Sequence, residues 1–212
     1  MAKIPKYKKD PKYALRHALR KGILTSEHEK VFSKDAECAI EYAVRVKQSR
    51  LIPEVENIIF NVYCLNIKNL QSYSNSPILQ RHSLSAFFNY IKLVKSIPKE
   101  YEESLLTNIE PHNIVYYANC IERRLDEKYE KMLLEVAIRT SKYSHLVEYS
   151  YAIGCKLPED MHNYLLCQYI KDKNDLVLSS YFTNLKNIKN QLIKITQIFD
   201  KDQTINQIIE QI

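Results

Sequence analysis

The chain has 212 residues, is 45% apolar and carries a formal net charge of +6. That is enough sequence for one substantial core or one continuous stack of repeats. Only Gly22 and Gly154 are glycines, which excludes most folds whose phosphate loops, nucleophile elbows and tight strand turns depend on glycine.

The charge is concentrated at the start. Residues 1–21 hold Lys3, Lys6, Lys8, Lys9, Lys12, Arg16, Arg20 and Lys21 against a single acid, Asp10. The expectation is a basic N-terminal extension over residues 1–9, leading into a nearly neutral body. These eight cations are the candidate residues for contacting a phosphate or an acidic partner. Asp10-Pro11 then reads as a helix cap followed by proline at the first helical position. The helix it opens, Ala14-Leu15-Arg16-His17-Ala18-Leu19-Arg20, stops at Gly22. A second helix begins around Ser26-Glu27-His28-Glu29.

The motif then returns. Asp35 caps a helix containing Ala39-Ile40-Glu41-Tyr42-Ala43-Val44-Arg45, which matches residues 14–20 in character except where Glu41 faces Arg16. Pro53-Glu54-Val55-Glu56 opens the next helix. Ser72-Tyr73-Ser74-Asn75-Ser76-Pro77 is the most turn-like stretch, and Phe87-Phe88-Asn89-Tyr90-Ile91 lies beyond it. Pro98, Asp126 and Pro158 mark three further helix starts, each with acids in the first turn. Between them fall Ile114–Ala118, Leu146–Ser150 and, last, Leu178–Phe182. One ring thus recurs per unit, at Tyr42, Tyr90, Tyr117, Tyr149 and Tyr181, with His17 in its place in the first unit. A ring beside a small residue once per repeat is what packing between hairpins requires, so these tyrosines are assigned to the core rather than to stacking on nucleobases.

A helical hairpin repeating every 21–32 residues or so describes an all-α protein, an α-solenoid of about six to seven HEAT-like hairpins over residues 10–199. A compact irregular helical bundle is the alternative. Residues 200–212 read as an apolar capping helix. Ile198, Ile205 and Ile212, spaced by sevens, also offer a route to self-association.

Asp10, Pro11, Ala14, His17 and Ala18, followed by Asp35, Ala39, Tyr42, Ala43, Pro53, Glu54 and Glu56, resemble the short helical-hairpin repeats of uncharacterised bacteriophage proteins, best over residues 10–59. The resemblance implies a HEAT-like stack and a phage or mobile-element origin. It implies no activity.

No catalytic motif emerges. The histidines His17, His28, His82, His112, His145 and His162 form no H-E-x-x-H, and Cys155, His162 and Cys167 do not follow a zinc spacing. Adjacent acids such as Glu54 with Glu56, and Glu102 with Glu103, stand where a helix dipole favours negative charge. The basic ends of the first helices and the acidic starts of the second helices are expected to lie side by side and to neutralise one another. The expectation is therefore no cofactor, no metal and no catalytic residue.

Five unpaired cysteines, the lack of a signal peptide and the lack of a run of about 18 apolar residues predict a reduced, cytoplasmic protein, in the host cytoplasm for a phage origin, with no membrane contact. The function expected is non-enzymatic binding of a protein partner, as a modulator of a host factor or of defence. The alternative is nucleic-acid binding through the basic arm, with a HEAT-like alkylpurine DNA glycosylase as its enzymatic extreme.

Overall fold

A computed structural model describes residues 9–65, 77–172 and 174–198. Among them every regular element is helical, so the protein is all-α. In chain order the helices are α1 Pro11–Lys21, α2 Ser26–Glu29, α3 Ala36–Tyr42, α4 Pro53–Phe60, α5 Pro77–Val94, α6 Lys99–Asn108, α7 Pro111–Ile121, α8 Glu127–Thr140, α9 Ser144–Ile153, α10 Glu159–Lys171 and α11 Leu176–Ile198. A 3₁₀ stretch, Lys30–Lys34, prolongs α2, and wide π turns, Ala43–Lys47 and Asn61–Leu65, prolong α3 and α4.

The helix boundaries follow local chemistry. The Asp10 carboxylate accepts the Lys12 and Tyr13 amides at 2.9 and 3.2 Å, ahead of proline at the first position of α1. The Asp35 carboxylate accepts the Cys38 amide at 3.0 Å and so starts α3. The cap of α2 is Thr25, one residue ahead of Ser26. Each satisfies backbone donors that a helix start otherwise leaves bare.

The odd-numbered helices share a stop signal. The residues that follow α1, the π turn after α3, α5, α7 and α9 are Gly22, Gln48, Lys95, Glu122 and Gly154, all with positive φ. Glycine adopts that region without strain, and it stands at two of the five positions; the other three accept the conformation at a cost. The turned-back amides then close on carbonyls in the last turn: Gln48 N on Ala43 O at 2.7 Å, Lys95 N on Ile91 O at 2.7 Å, and Gly154 N on Ser150 O at 3.0 Å.

Two compact units result, residues 1–121 and 122–212. In the first, α1 packs on α3, α3 on α5 and α5 on α7, while α4 packs on the Lys30–Lys34 stretch and α6 on the Asn61–Leu65 turn. Alternate helices of unit 1 thus form two rows. In the second, α8 packs on α9, and both α9 and α10 pack on α11.

The core is built on the recurrent aromatic position. Tyr42, Tyr90, Tyr117, Tyr149 and Tyr181 are all essentially inaccessible. The Tyr42 ring stacks on Phe32 with centroids 4.8 Å apart, and Tyr63 stacks on Phe87 at 4.9 Å. The assignment of these tyrosines to the core is borne out, and each arrives with its hydroxyl.

Candidate functional site

Burying a tyrosine hydroxyl costs free energy unless it finds partners. Here Tyr90 and Tyr149 find them in the same way. In unit 2 the Leu125 amide donates to the Tyr149 hydroxyl oxygen at 2.9 Å, and that hydroxyl donates to Glu130 Oε1 at 2.7 Å. Arg124 completes the arrangement, with Nε 3.0 Å from Oε1 and Nη2 2.8 Å from Oε2 of Glu130. In unit 1 the Leu51 amide donates to Tyr90 at 3.4 Å, Tyr90 donates in a short contact to Glu56, and Arg50 Nε reaches Glu56 at 3.0 Å. Tyr117 donates to Glu102 at 2.9 Å.

The node is written into the spacing. The carboxylate stands five residues after the loop amide and six after the arginine, in Leu51/Glu56 with Arg50 and in Leu125/Glu130 with Arg124. The first unit varies it. The Leu24 amide donates to Tyr42 at 2.9 Å, whereas the buried Glu29 takes the Ile52 amide at 2.6 Å and Lys47 Nζ at 2.7 Å. The π turn carries Lys47 to that carboxylate.

These contacts revise the reading of the acidic helix starts. Glu54 is exposed and lies 3.2 Å from Lys30, as a residue serving the helix dipole would. Glu56 turns inward and is consumed by Tyr90 and Arg50. The signal was present as an acid three residues after Pro53 together with one tyrosine per unit, but a single sequence does not join two residues 34 apart. The expected neutralisation of basic ends by acidic starts is visible in Lys47–Glu29, Arg50–Glu56 and Arg124–Glu130.

Burial pushes the hydroxyls of Tyr90 and Tyr149 well above the usual phenol range, and the adjoining carboxylates push the same way. The nodes therefore hold their protons across physiological pH. They join one helix to another. The thiols are equally quiet: burial, with Asp35 adding to it, pushes Cys38 up to about 12, and burial pushes Cys120 up to about 11.

A concavity of about 630 Å³ lies in unit 2 along the starts of α8 and α10. Arg124, Glu127, Glu130, Lys131, Glu159 and Asp160 provide its charges. Arg124 is held by Glu130, and Lys131 lies 2.5 Å from Glu127. Among the described residues no group of three or more His, Cys, Asp or Glu side chains is arranged to hold a metal ion, and no helix is long and apolar enough to cross a membrane.

The basic candidates divide. Lys3, Lys6 and Lys8 lie outside the described residues. Lys9, Lys12, Arg16, Arg20 and Lys21 are all exposed, the last four on α1. Arg16 sits over the Tyr13 ring, 5.7 Å from its centre. The Lys9 carbonyl accepts Lys34 Nζ at 3.4 Å, which ties the base of the arm to the Lys30–Lys34 stretch. Ile198 is the last residue of α11, while Ile205, Ile212 and the capping helix expected over 200–212 lie outside the described residues.

Sequence reasoning passed over the apolar residues around the α10–α11 junction. Ile170 is 63% exposed and Leu176 84%, with Leu166 and Val177 also open to solvent. No protein-family model, no curated protein and no solved structure matches the chain.

Proposed function

We propose that this chain is a non-enzymatic helical-repeat interaction protein that binds a protein partner. The observation that carries the reading is the set of apolar side chains left in solvent at one junction, Leu166, Ile170, Leu176 and Val177. Large apolar side chains left in solvent are surface that a protein partner is able to cover. The chemistry of the nodes agrees: their carboxylates and hydroxyls are spent on holding hairpins together. The two rows of alternate helices in unit 1 support an α-solenoid of HEAT-like hairpins. The resemblance of residues 10–59 adds a phage origin, and with it a host factor as the class of partner.

A second reading is favoured by α1. Lys12, Arg16, Arg20 and Lys21 are exposed on one short helix, and its capping acid, Asp10, is engaged by the Lys12 and Tyr13 amides. That is the footprint of a phosphate-binding element, and it makes nucleic acid the competing partner.

The experiment is affinity capture in the presence of nuclease, comparing the full chain, a chain lacking residues 1–9, and the double substitution Ile170→Asp with Leu176→Asp. A stoichiometric partner retained after nuclease and arm removal, and lost from the double variant, is the expected result. Loss of every partner on nuclease treatment or arm removal transfers the reading to nucleic acid. Binding that weakens steeply with salt identifies the same outcome.

A further inference from the structure

The last node breaks the pattern in one residue. Glu29, Glu56, Glu102 and Glu130 each stand five residues after Leu24, Leu51, Ile97 and Leu125, and five residues after Leu157 the chain has His162. His162 Nδ1 lies 2.9 Å from the hydroxyl of Tyr181, the ring through which α11 is buried against α10. The cation six residues before it is Lys156 rather than arginine.

The Tyr181 hydroxyl is placed to donate its hydrogen to His162 Nδ1. That needs a neutral imidazole with its hydrogen on Nε2. An imidazolium carries hydrogen on Nδ1 as well, and the hydroxyl of Tyr181, a residue only 1% exposed, then loses its acceptor. Histidine is the side chain whose ordinary titration falls in the physiological range, and among these nodes this one alone holds it.

We propose that His162 gates the docking of α11 on α10 by pH: protonation of its imidazole breaks the Tyr181 hydrogen bond and loosens the first turns of α11, uncovering Leu178, Tyr181 and Leu185. The surroundings oppose the charged form. Burial, and next the positive charge of Lys156, hold His162 below its ordinary value of 6.5. From α11 the Tyr181 and Phe182 rings face the imidazole, at 5.9 and 5.7 Å between centres, and Tyr169 packs on Phe182. On α10 itself Glu159 and Asp160 are exposed at the helix start, and Cys155 precedes Lys156 in the loop. On α9, which packs on α11, His145 is bonded to the Leu133 carbonyl, Tyr149 to Glu130 and Tyr151 to Ser180, and Glu148 is exposed. Because the folded value is lowered, the stability that neutral His162 contributes is complete above 6.5 and is lost as pH falls through that lowered value.

Hydrogen exchange on the full chain tests this between about pH 8 and about pH 5, with each rate normalised to its intrinsic exchange. The protection of the Leu178, Tyr181 and Leu185 amides is expected to fall several-fold on acidification, while amides at the Tyr42 and Tyr149 nodes hold theirs. His162→Gln keeps an acceptor that does not titrate, and His162→Glu restores the carboxylate of the other nodes; both are expected to abolish the step. Unchanged α11 protection in the unsubstituted chain, or an equal fall in His162→Gln, overturns the proposal. Should both variants fail to fold, the imidazole titration of His162 in the unsubstituted chain decides. A midpoint at or above 6.5, or one that does not coincide with the loss of α11 protection, also overturns it.

Discussion

Two tyrosines of α8 and α9 show how much a hydroxyl depends on its partners. Tyr149 lies between the Leu125 amide and Glu130, so Tyr149→Phe leaves a buried amide and a buried carboxylate each short of a partner. A loss of about 1–3 kcal/mol is expected in urea unfolding. Tyr129 is buried too, and among the described residues its hydroxyl has no hydrogen-bond partner. Tyr129→Phe is expected to be neutral or to raise stability by up to about 1 kcal/mol in the same assay. No loss from Tyr149→Phe would mean that ring packing, not the node, carries Tyr149. The sequence shows both residues as tyrosines at apolar helical positions. Only the fold distinguishes the one that meets a carboxylate from the one that does not.

At the level of the element, the stop signals of the odd-numbered helices carry the argument. Gly154 takes φ +66°, and a Cβ added there meets nothing within 4 Å. Gly154→Ala therefore tests backbone conformation alone, and a loss of about 1 kcal/mol in thermal unfolding is expected. The converse substitution, Gln48→Gly at φ +51°, removes a penalty of the same kind and is expected to change stability by less than about 1 kcal/mol, in the stabilising direction. Asp35→Ala removes the side chain that accepts the Cys38 amide and should cost about 1 kcal/mol. Caps and glycine stops could be read from sequence because each acts within a few residues of chain. Gln48, Lys95 and Glu122 could not, since nothing in their chemistry announces a positive φ; the geometry of the turn imposes it.

At the level of the whole molecule, the cysteines report on global packing. Cys38, Cys64 and Cys120 are buried and burial raises their thiols, whereas Cys167 is exposed and Cys155 half-buried. A thiol reagent at about pH 8 is expected to label Cys167 first and Cys155 more slowly, and to reach the other three only on unfolding, as read by peptide mass analysis. Rapid labelling of Cys64 under native conditions would contradict the packing of unit 1. The surface at the α10–α11 junction belongs to this scale as well. Leu166 and Ile170 follow a helical pattern that reads as core in sequence, and they remain in solvent because no described element covers them.

Helical class, most caps, the recurrence of one buried ring and the position of the basic segment all follow from residues that act within a turn or two of helix. Local hydrogen bonding, side-chain periodicity and charge decide them, and these are properties of neighbours in the chain. The Tyr–Glu–Arg nodes, the inward turn of Glu56 and Glu130, the pairing of His162 with Tyr181 and the solvent-exposed residues at the α10–α11 junction belong to tertiary structure. The side-chain bonds of the node tyrosines join residues 15 or more positions apart. Whether a carboxylate becomes an exposed partner of the helix dipole or a buried acceptor depends on which helix packs over it, and one helix's periodicity carries no record of its neighbour.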